Sequence, residues 1–191
     1  MVNQFKTKNN YPFFLYSFFS YISQIIWLLL DILPQFIRII LFRIIFNKFG
    51  HKCMIDYKCF MRYPWRVILG DNVIINRGCE FFSSMQTKQG VITLEDNVVL
   101  GPKVIIFSAG HSYTSLDLPD ISAPVVIGRY SWIGGNTTIL PGVVIGEGTI
   151  VGAGSVVTKS IPAYSVAVGN PAKVIKMRIL DTQSKVTQLH Q

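Results

Sequence analysis

The chain has 191 residues, enough for one domain with an appendage. Half of them are apolar and only 15% are charged, which excludes a disordered or highly solvated chain. With 18 Lys and Arg against 10 Asp and Glu, the formal charge is +8, which favours an anionic partner such as a phosphorylated cofactor, a lipid surface or nucleic acid.

Residues 11–30, YPFFLYSFFSYISQIIWLLL, carry no charge. As a helix they would reach about 30 Å, the thickness of a bilayer core. No small-residue cleavage site follows, so a signal peptide is not expected. Pro34 should break the helix, and QFIRIILFRIIF (35–46) starts another. Asp31, Gln35, Arg38 and Arg43 share one arc of that helix while Ile, Leu and Phe fill the rest, a pattern suited to a membrane interface. Arg38, Arg43, Lys48, Lys52, Lys58, Arg62 and Arg66, against Asp56 alone, would attract anionic headgroups. Residues 1–50 are therefore expected to form a hydrophobic and amphipathic helical region that associates with a membrane, spanning it or re-entering. The rival expectation is that these helices cap the open end of the core and pack on sister subunits. Basic residues from Arg38 to Lys52 favour the cytoplasmic side, with Lys6 and Lys8 weakening the contrast. The expected location is thus the cytoplasmic face of the inner or plasma membrane, peripheral or hairpin-anchored.

Cys53, Cys59 and Cys79 form no CxxC and no disulfide framework, so a reducing compartment is the simplest reading. His51, His111 and His190 lie far apart in the sequence and form no HxxxH, so no metal site is expected.

From residue 51 onward a six-residue repeat dominates. A weak copy begins at Ile55 with Cys59. Leu69, Ile75 and Phe81 follow with Val73 and Cys79, then Leu94, Leu100 and Ile106 with Val98 and Val104. The clearest run is Ile127, Ile133, Ile139, Ile145, Val151 and Val157, with Gly128, Gly134, Gly146 and Gly152 next to the aliphatics. Four places after each aliphatic stands a mostly small residue such as Ser131, Thr137, Thr149 or Ser155. Short flat strands must alternate with tight turns that glycine permits, and the coils must stack to bury their aliphatics. Cys59 and Cys79 fall at the small inward place and read as core fillers. Two full turns are expected over 127–162, one over 94–111, one over 69–86, and a ragged turn before them.

The rhythm fails between Ile106 and Ile127, where AGHSYTSLDLPDISAP brings His111, Asp117, Asp120 and a tyrosine onto an outward loop. After it come APVVIG, SWIGGN (131–136), GAGSVVTK (152–159) and GNPAKVIK (169–176). Together these motifs resemble the hexapeptide-repeat sugar O-acetyltransferases, including the maltose, galactoside and colanic-acid types. The resemblance covers roughly residues 50–178 and implies an all-β fold, a left-handed parallel β-helix, as an acyltransferase domain over 51–178. Residues 179–191 would be a C-terminal tail.

By that resemblance His111 is the general base, acetyl-CoA the co-substrate and a homotrimer the working assembly. A sugar hydroxyl loses its proton to imidazole as it attacks the thioester. Asp117, Asp120 or a backbone carbonyl would hold the ring. No serine or cysteine nucleophile has a neighbouring base, so direct transfer without an acyl-enzyme is expected. The resemblance puts Trp132 beside the cofactor arm, with Gly134 and Gly135 presenting backbone amides that would also suit a thioester oxyanion. It places Ala153 at a cofactor turn, Thr158 and Lys159 near the adenosine end, and Lys173 and Lys176 at phosphates. The coil before His111 reads CEFFSSMQTKQG where several relatives use Asn or Asp, so Ser83 and Ser84, with Asp117, become the acceptor-binding candidates.

The expected function is acetyl transfer to a sugar hydroxyl of a surface polysaccharide or its lipid-linked precursor. The alternative is a non-catalytic hexapeptide-repeat scaffold whose hydrophobic arm mediates assembly. A γ-class carbonic anhydrase needs three converging histidines, and only His111 lies in the right zone. The basic residues cluster beside apolar helices rather than among strand-face aromatics, which argues against nucleic acid.

Overall fold

An aliphatic at every sixth position cannot bury itself within one strand, and the chain answers by stacking coils into a three-sided prism. The computed structural model describes residues 13–83 and 89–180. The first coil holds β1 (Lys48–Phe49), β2 (Met54–Ile55) and β3 (Phe60–Met61). The second holds β4 (Val67–Leu69), β5 (Ile74–Ile75) and β6 (Glu80–Phe82), and the third β7 (Ile92–Leu94), β8 (Val99–Leu100) and β9 (Ile105–Phe107). A hairpin of β10 (Ala109–His111) and β11 (Asp120–Ser122) interrupts the winding. The fourth coil holds β12 (Val125–Ile127), β13 (Trp132–Ile133) and β14 (Thr138–Ile139), and the fifth β15 (Val144–Ile145), β16 (Ile150–Val151) and β17 (Val156–Val157). Each strand pairs in parallel with its counterpart one coil away, giving three sheets. The first sheet contains β1, β4, β7, β12 and β15, the second β2, β5, β8, β13 and β16, and the third β3, β6, β9, β14 and β17. The second sheet continues through β18 (Ser165–Gly169) and ends on the antiparallel β19 (Ala172–Met177).

The repeat aliphatics from Leu69 to Val157 are fully buried along the axis. Each such side chain is worth about 1.5–3 kcal/mol relative to exposure. The first turn, expected to be ragged, is a complete coil: Ile55 and Met61 fill the inward places, with Phe49 half-buried at the third. The small inward residues carry hydroxyls that donate to corner carbonyls, as Ser155 does to Gly152 (2.6 Å) and Thr149 to Pro162 (2.9 Å). Among the described residues, none of these buried hydroxyls lacks a partner.

The turn chemistry differs from the expectation. The glycine after each aliphatic does not supply the bend. A residue with positive φ stands three places after the inward residue, and this place is filled by Lys52, Lys58, Asn72, Asn97, Lys103, Tyr130, Asn136 and Tyr164 as well as by glycine. The glycine after the aliphatic serves close stacking instead. A Cβ on Gly128 would lie 2.6 Å from Glu147 N, and one on Gly134 would lie 2.4 Å from Ala153 N.

Two helices, α1 (Phe13–Ile32) and α2 (Gln35–Ile45), close the first-coil end, with the break at Pro34. Trp27, Leu30 and Phe42 are buried against the prism, and the Trp27 indole N–H donates to the Met61 carbonyl (3.1 Å). Among the described residues no helix is long and apolar enough to cross a membrane.

Candidate functional site

The hairpin owes its base to Ser108, a fully buried residue whose hydroxyl donates to Gly90 O (2.9 Å) and whose carbonyl accepts from Ala123 N (3.0 Å). From that anchor β10 and β11 run antiparallel, with His111 opposite Asp120. Farther out, Ser112 N donates to Pro119 O (2.9 Å) and Leu118 N to Ser115 O (3.2 Å), which close the turn.

His111 is exposed, and its Nδ1 lies 2.9 Å from the Leu118 carbonyl and 3.1 Å from Asp120 Oδ1. A carbonyl only accepts. Nδ1 therefore carries a hydrogen, and in the neutral ring the lone pair stands on Nε2. The three partners left open by the sequence resolve to Leu118 O and Asp120. Asp117 instead accepts a hydrogen bond from the Ser115 hydroxyl near the hairpin tip.

The donor-side candidates fall elsewhere. Trp132 is half exposed on the outer face of the second sheet. Strand register puts it in one row with Ile150, Val166 and Lys176. Three strand spacings separate Trp132 from Lys176, about 14 Å. Lys173 and Lys176, three apart on a strand, would normally face opposite sides. Here β19 carries one extra residue, so Lys173 pairs with Val168 and Lys176 with Val166. Their partners are two apart, which returns both lysines to the outer face.

Gly134, Gly135 and Ala153 stack at the edge between the second and third sheets. The Gly134 N–H donates to Val151 O (2.7 Å), which corrects its expected part as a free donor; its contribution is the close approach to Ala153. Thr158 and Lys159 are exposed at the edge between the third and first sheets, the edge from which the His111 hairpin leaves two coils earlier. Within one chain, then, the imidazole and the Trp132–Lys176 face occupy different sides of the prism. Ser83 is buried, and its hydroxyl donates to Tyr63 O (3.4 Å), so it offers no free hydroxyl to an acceptor. Ser84 lies outside the described residues. Among the described residues no cluster of His, Cys, Asp and Glu could hold a metal ion.

The Leu118 carbonyl was invisible to sequence reasoning because any residue carries one. The extra residue in β19 was equally hidden, since its only sign is a pairing partner. The buried thiols conform to the core-filler reading. Burial pushes Cys53 up from the ordinary thiol value. Cys79 is pushed up further by its hydrogen-bonded neighbour Cys59 and by burial.

Residues 124–159 match the family model described as bacterial transferase hexapeptide (six repeats). A Staphylococcus aureus protein, provisionally named an acetyltransferase, is 45% identical over 117 residues, 60% of this chain. The match takes in only 56% of that relative's length, so the chain spans a little over half of it. An Escherichia coli protein, provisionally named a colanic acid biosynthesis acetyltransferase, is 34% identical over 74% of this chain and 75% of its own. Among solved structures, a maltose O-acetyltransferase from Clostridium difficile superposes with a TM-score of 0.76 at 32% identity, covering 88% of this chain and 90% of that one. A hexapeptide-repeat acetyltransferase from Vibrio cholerae, complexed with acetyl-CoA, gives a TM-score of 0.75 at 26% identity over 86% and 89% of the two chains.

Proposed function

This chain belongs to the hexapeptide-repeat acetyltransferases, and on that premise we propose that it moves an acetyl group from acetyl-CoA to a sugar hydroxyl. The acceptor class in this reading is a surface polysaccharide or its lipid-linked precursor; the E. coli relative is named for colanic acid biosynthesis, and the C. difficile one for maltose supports a sugar acceptor only in general. The observation that carries the reading is the contact of His111 Nδ1 with Leu118 O (2.9 Å) and Asp120 Oδ1 (3.1 Å), from which Nε2 follows as the basic atom.

In the proposed step the sugar oxygen attacks the thioester carbonyl as its proton passes to Nε2. Asp120 stabilises the imidazolium that forms. The C–S bond then breaks, the proton on Nε2 goes to the departing sulfur, and free coenzyme A and an acetyl ester result. Gly135, at the corner beside Gly134, is the remaining candidate for the oxyanion amide. Trp132 flanks the pantetheine arm and Ala153 contacts it through the backbone. Lys173 and Lys176 face the phosphates together, and Thr158 and Lys159 lie toward the adenosine. The imidazole and the Trp132–Lys176 face stand on different sides of one prism, so one chain alone does not join them; the homotrimer of left-handed coils that the family resemblance implies would. The hairpin of one chain then meets the donor face of the next.

Thiol release from acetyl-CoA in the presence of sugar acceptors tests the reading, with mass spectrometry of the acceptor for one added acetyl group. Wild type should release thiol and acetylate. His111→Ala should lose both activities by 10²–10⁴-fold, the usual span for a general base. Equal rates in the two proteins reject the assignment.

A further inference from the structure

We propose that the outward face of the α1–α2 hairpin docks on an anionic lipid surface. The hairpin is built inside out. Three of the four members of its polar stripe, Asp31, Gln35 and Arg38, face the protein instead of meeting headgroups, and only Arg43 stays exposed. Arg38 is fully buried, donating to Gln35 Oε1 (3.1 Å) and the Asp56 carbonyl (3.2 Å), with Asp31 at 3.7 Å and the Tyr57 ring at 4.3 Å. Gln35 donates to Ile55 O (3.3 Å), and Asp31 accepts from Lys58 N (3.0 Å). These contacts close the end of the prism and pin the inner side of both helices.

The apolar residues are left outside. Phe14 is 75% exposed, Leu28 65%, Ile32 73%, Phe36 68% and Ile44 74%. At 100° per residue the exposed apolar positions of α1 occupy an arc of about 160°. An uncovered apolar surface of this extent marks an interaction site. Its rim settles the kind of partner. Arg43 on α2, Lys48 just after it and Lys58, whose backbone N–H meets Asp31, are all exposed beside it, while nearby Asp31 and Asp56 are only partly exposed and accept backbone N–H bonds. A second copy applying the same face would set lysine against lysine, whereas anionic headgroups complement that rim. An apolar face with a cationic border, fixed on a rigid support, is the layout of a helix lying in the interfacial plane. The His111 hairpin leaves the third coil, two coil spacings from the helix-capped first coil, about 10 Å away.

Flotation of the purified full chain with vesicles tests this without any catalytic readout. One set contains phosphatidylcholine alone and the other adds phosphatidylglycerol. The chain should float with the anionic set, and raising the salt should weaken binding. Arg43→Gln combined with Lys48→Gln should lower partitioning roughly 30-fold, at about a fivefold loss per basic residue. Leu28→Gln with Ile32→Gln should abolish flotation while leaving thermal unfolding and the light-scattering mass unchanged. A chain that stays with the dense fraction beside anionic vesicles at low salt overturns the proposal. So does a fall in mass for Leu28→Gln with Ile32→Gln, because it would show that a second copy covers the face.

Discussion

Alanine at Gly128 and alanine at Gly154 should damage the prism by different amounts, for different reasons. At Gly128 the added methyl would meet Glu147 N at 2.6 Å, Gly146 C at 2.8 Å and Ile145 O at 2.9 Å, all backbone of the next coil. Relief requires the fourth and fifth coils to part, stretching Gly128 N to Ile145 O (2.8 Å) and Val126 N to Val143 O (3.1 Å). Overpacking at about 1–3 kcal/mol plus two weakened hydrogen bonds gives about 3 kcal/mol. At Gly154 nothing lies within 4 Å of the new methyl, but φ is +72°. The cost is the left-handed backbone alone, about 1 kcal/mol. Asparagine there should cost less still, because Asn136 holds the equivalent place one coil earlier at φ 56°. For a chain of this size each kcal/mol moves Tm by about 2–4 °C. Thermal unfolding at fixed protein concentration should therefore lose about 6–12 °C for Gly128→Ala, about 2–4 °C for Gly154→Ala and the least for Gly154→Asn. A Gly154→Ala protein as unstable as Gly128→Ala would refute the close-stacking account of the glycine after the aliphatic.

Three further outcomes follow from the same geometry. Asp120→Asn keeps a neutral acceptor near Nδ1 and leaves the Leu118 carbonyl in place, so kcat should fall about tenfold with KM unchanged, far less than in His111→Ala; steady-state kinetics of both variants check this. Arg38→Met removes the donors to Gln35 and Asp56 and should cost about 2–4 kcal/mol in denaturant unfolding, and Arg38→Lys should not restore it, since one ammonium lacks the guanidinium fork. Burial holds Cys53 above the ordinary thiol value of 9.0, so there the folded chain keeps a proton that the unfolded chain releases, while in the adjoining pair Cys79 is pushed up and Cys59 down, in opposite senses. Stability from Cys53 is complete below that pH and should decline as pH rises past it, and thiol reagents at neutral pH should label all three cysteines only after unfolding.

Much of the fold could be read from Ile127, Ile133, Ile139, Ile145, Val151 and Val157, because a six-residue aliphatic period has few other physical solutions. The positive-φ place escaped notice because Lys, Asn, Tyr and Gly all occupy it, and no shared side chain marks it. Ser83 was misplaced although the strand rule was at hand: Phe81 points inward, so two residues on Ser83 does too. The helices illustrate a different limit. Hydropathy finds the apolar arc and the polar arc of α1 and α2, but which of them faces the prism depends on what Ile55, Asp56 and Lys58 offer in return. The outward hairpin that carries His111 was legible from the break in the period, and the residue's expected role came from the family resemblance, whereas the partner of its Nδ1 required the Leu118 carbonyl.

Subunit complementation tests most directly whether the imidazole of one chain serves the donor face of another. His111→Ala is co-expressed in equal amounts with a chain carrying Trp132→Ala and Lys176→Ala, and the mixed assemblies are purified through a tag on each. Each parent alone should be nearly inactive. In a trimer that contains both chains a site is intact when one neighbour supplies His111 and the other supplies Trp132 and Lys176, which happens at one of its three interfaces, about one third. Recovery of about one third of wild-type acetyl transfer is the predicted result. A mixture no more active than its parents would contradict a shared site.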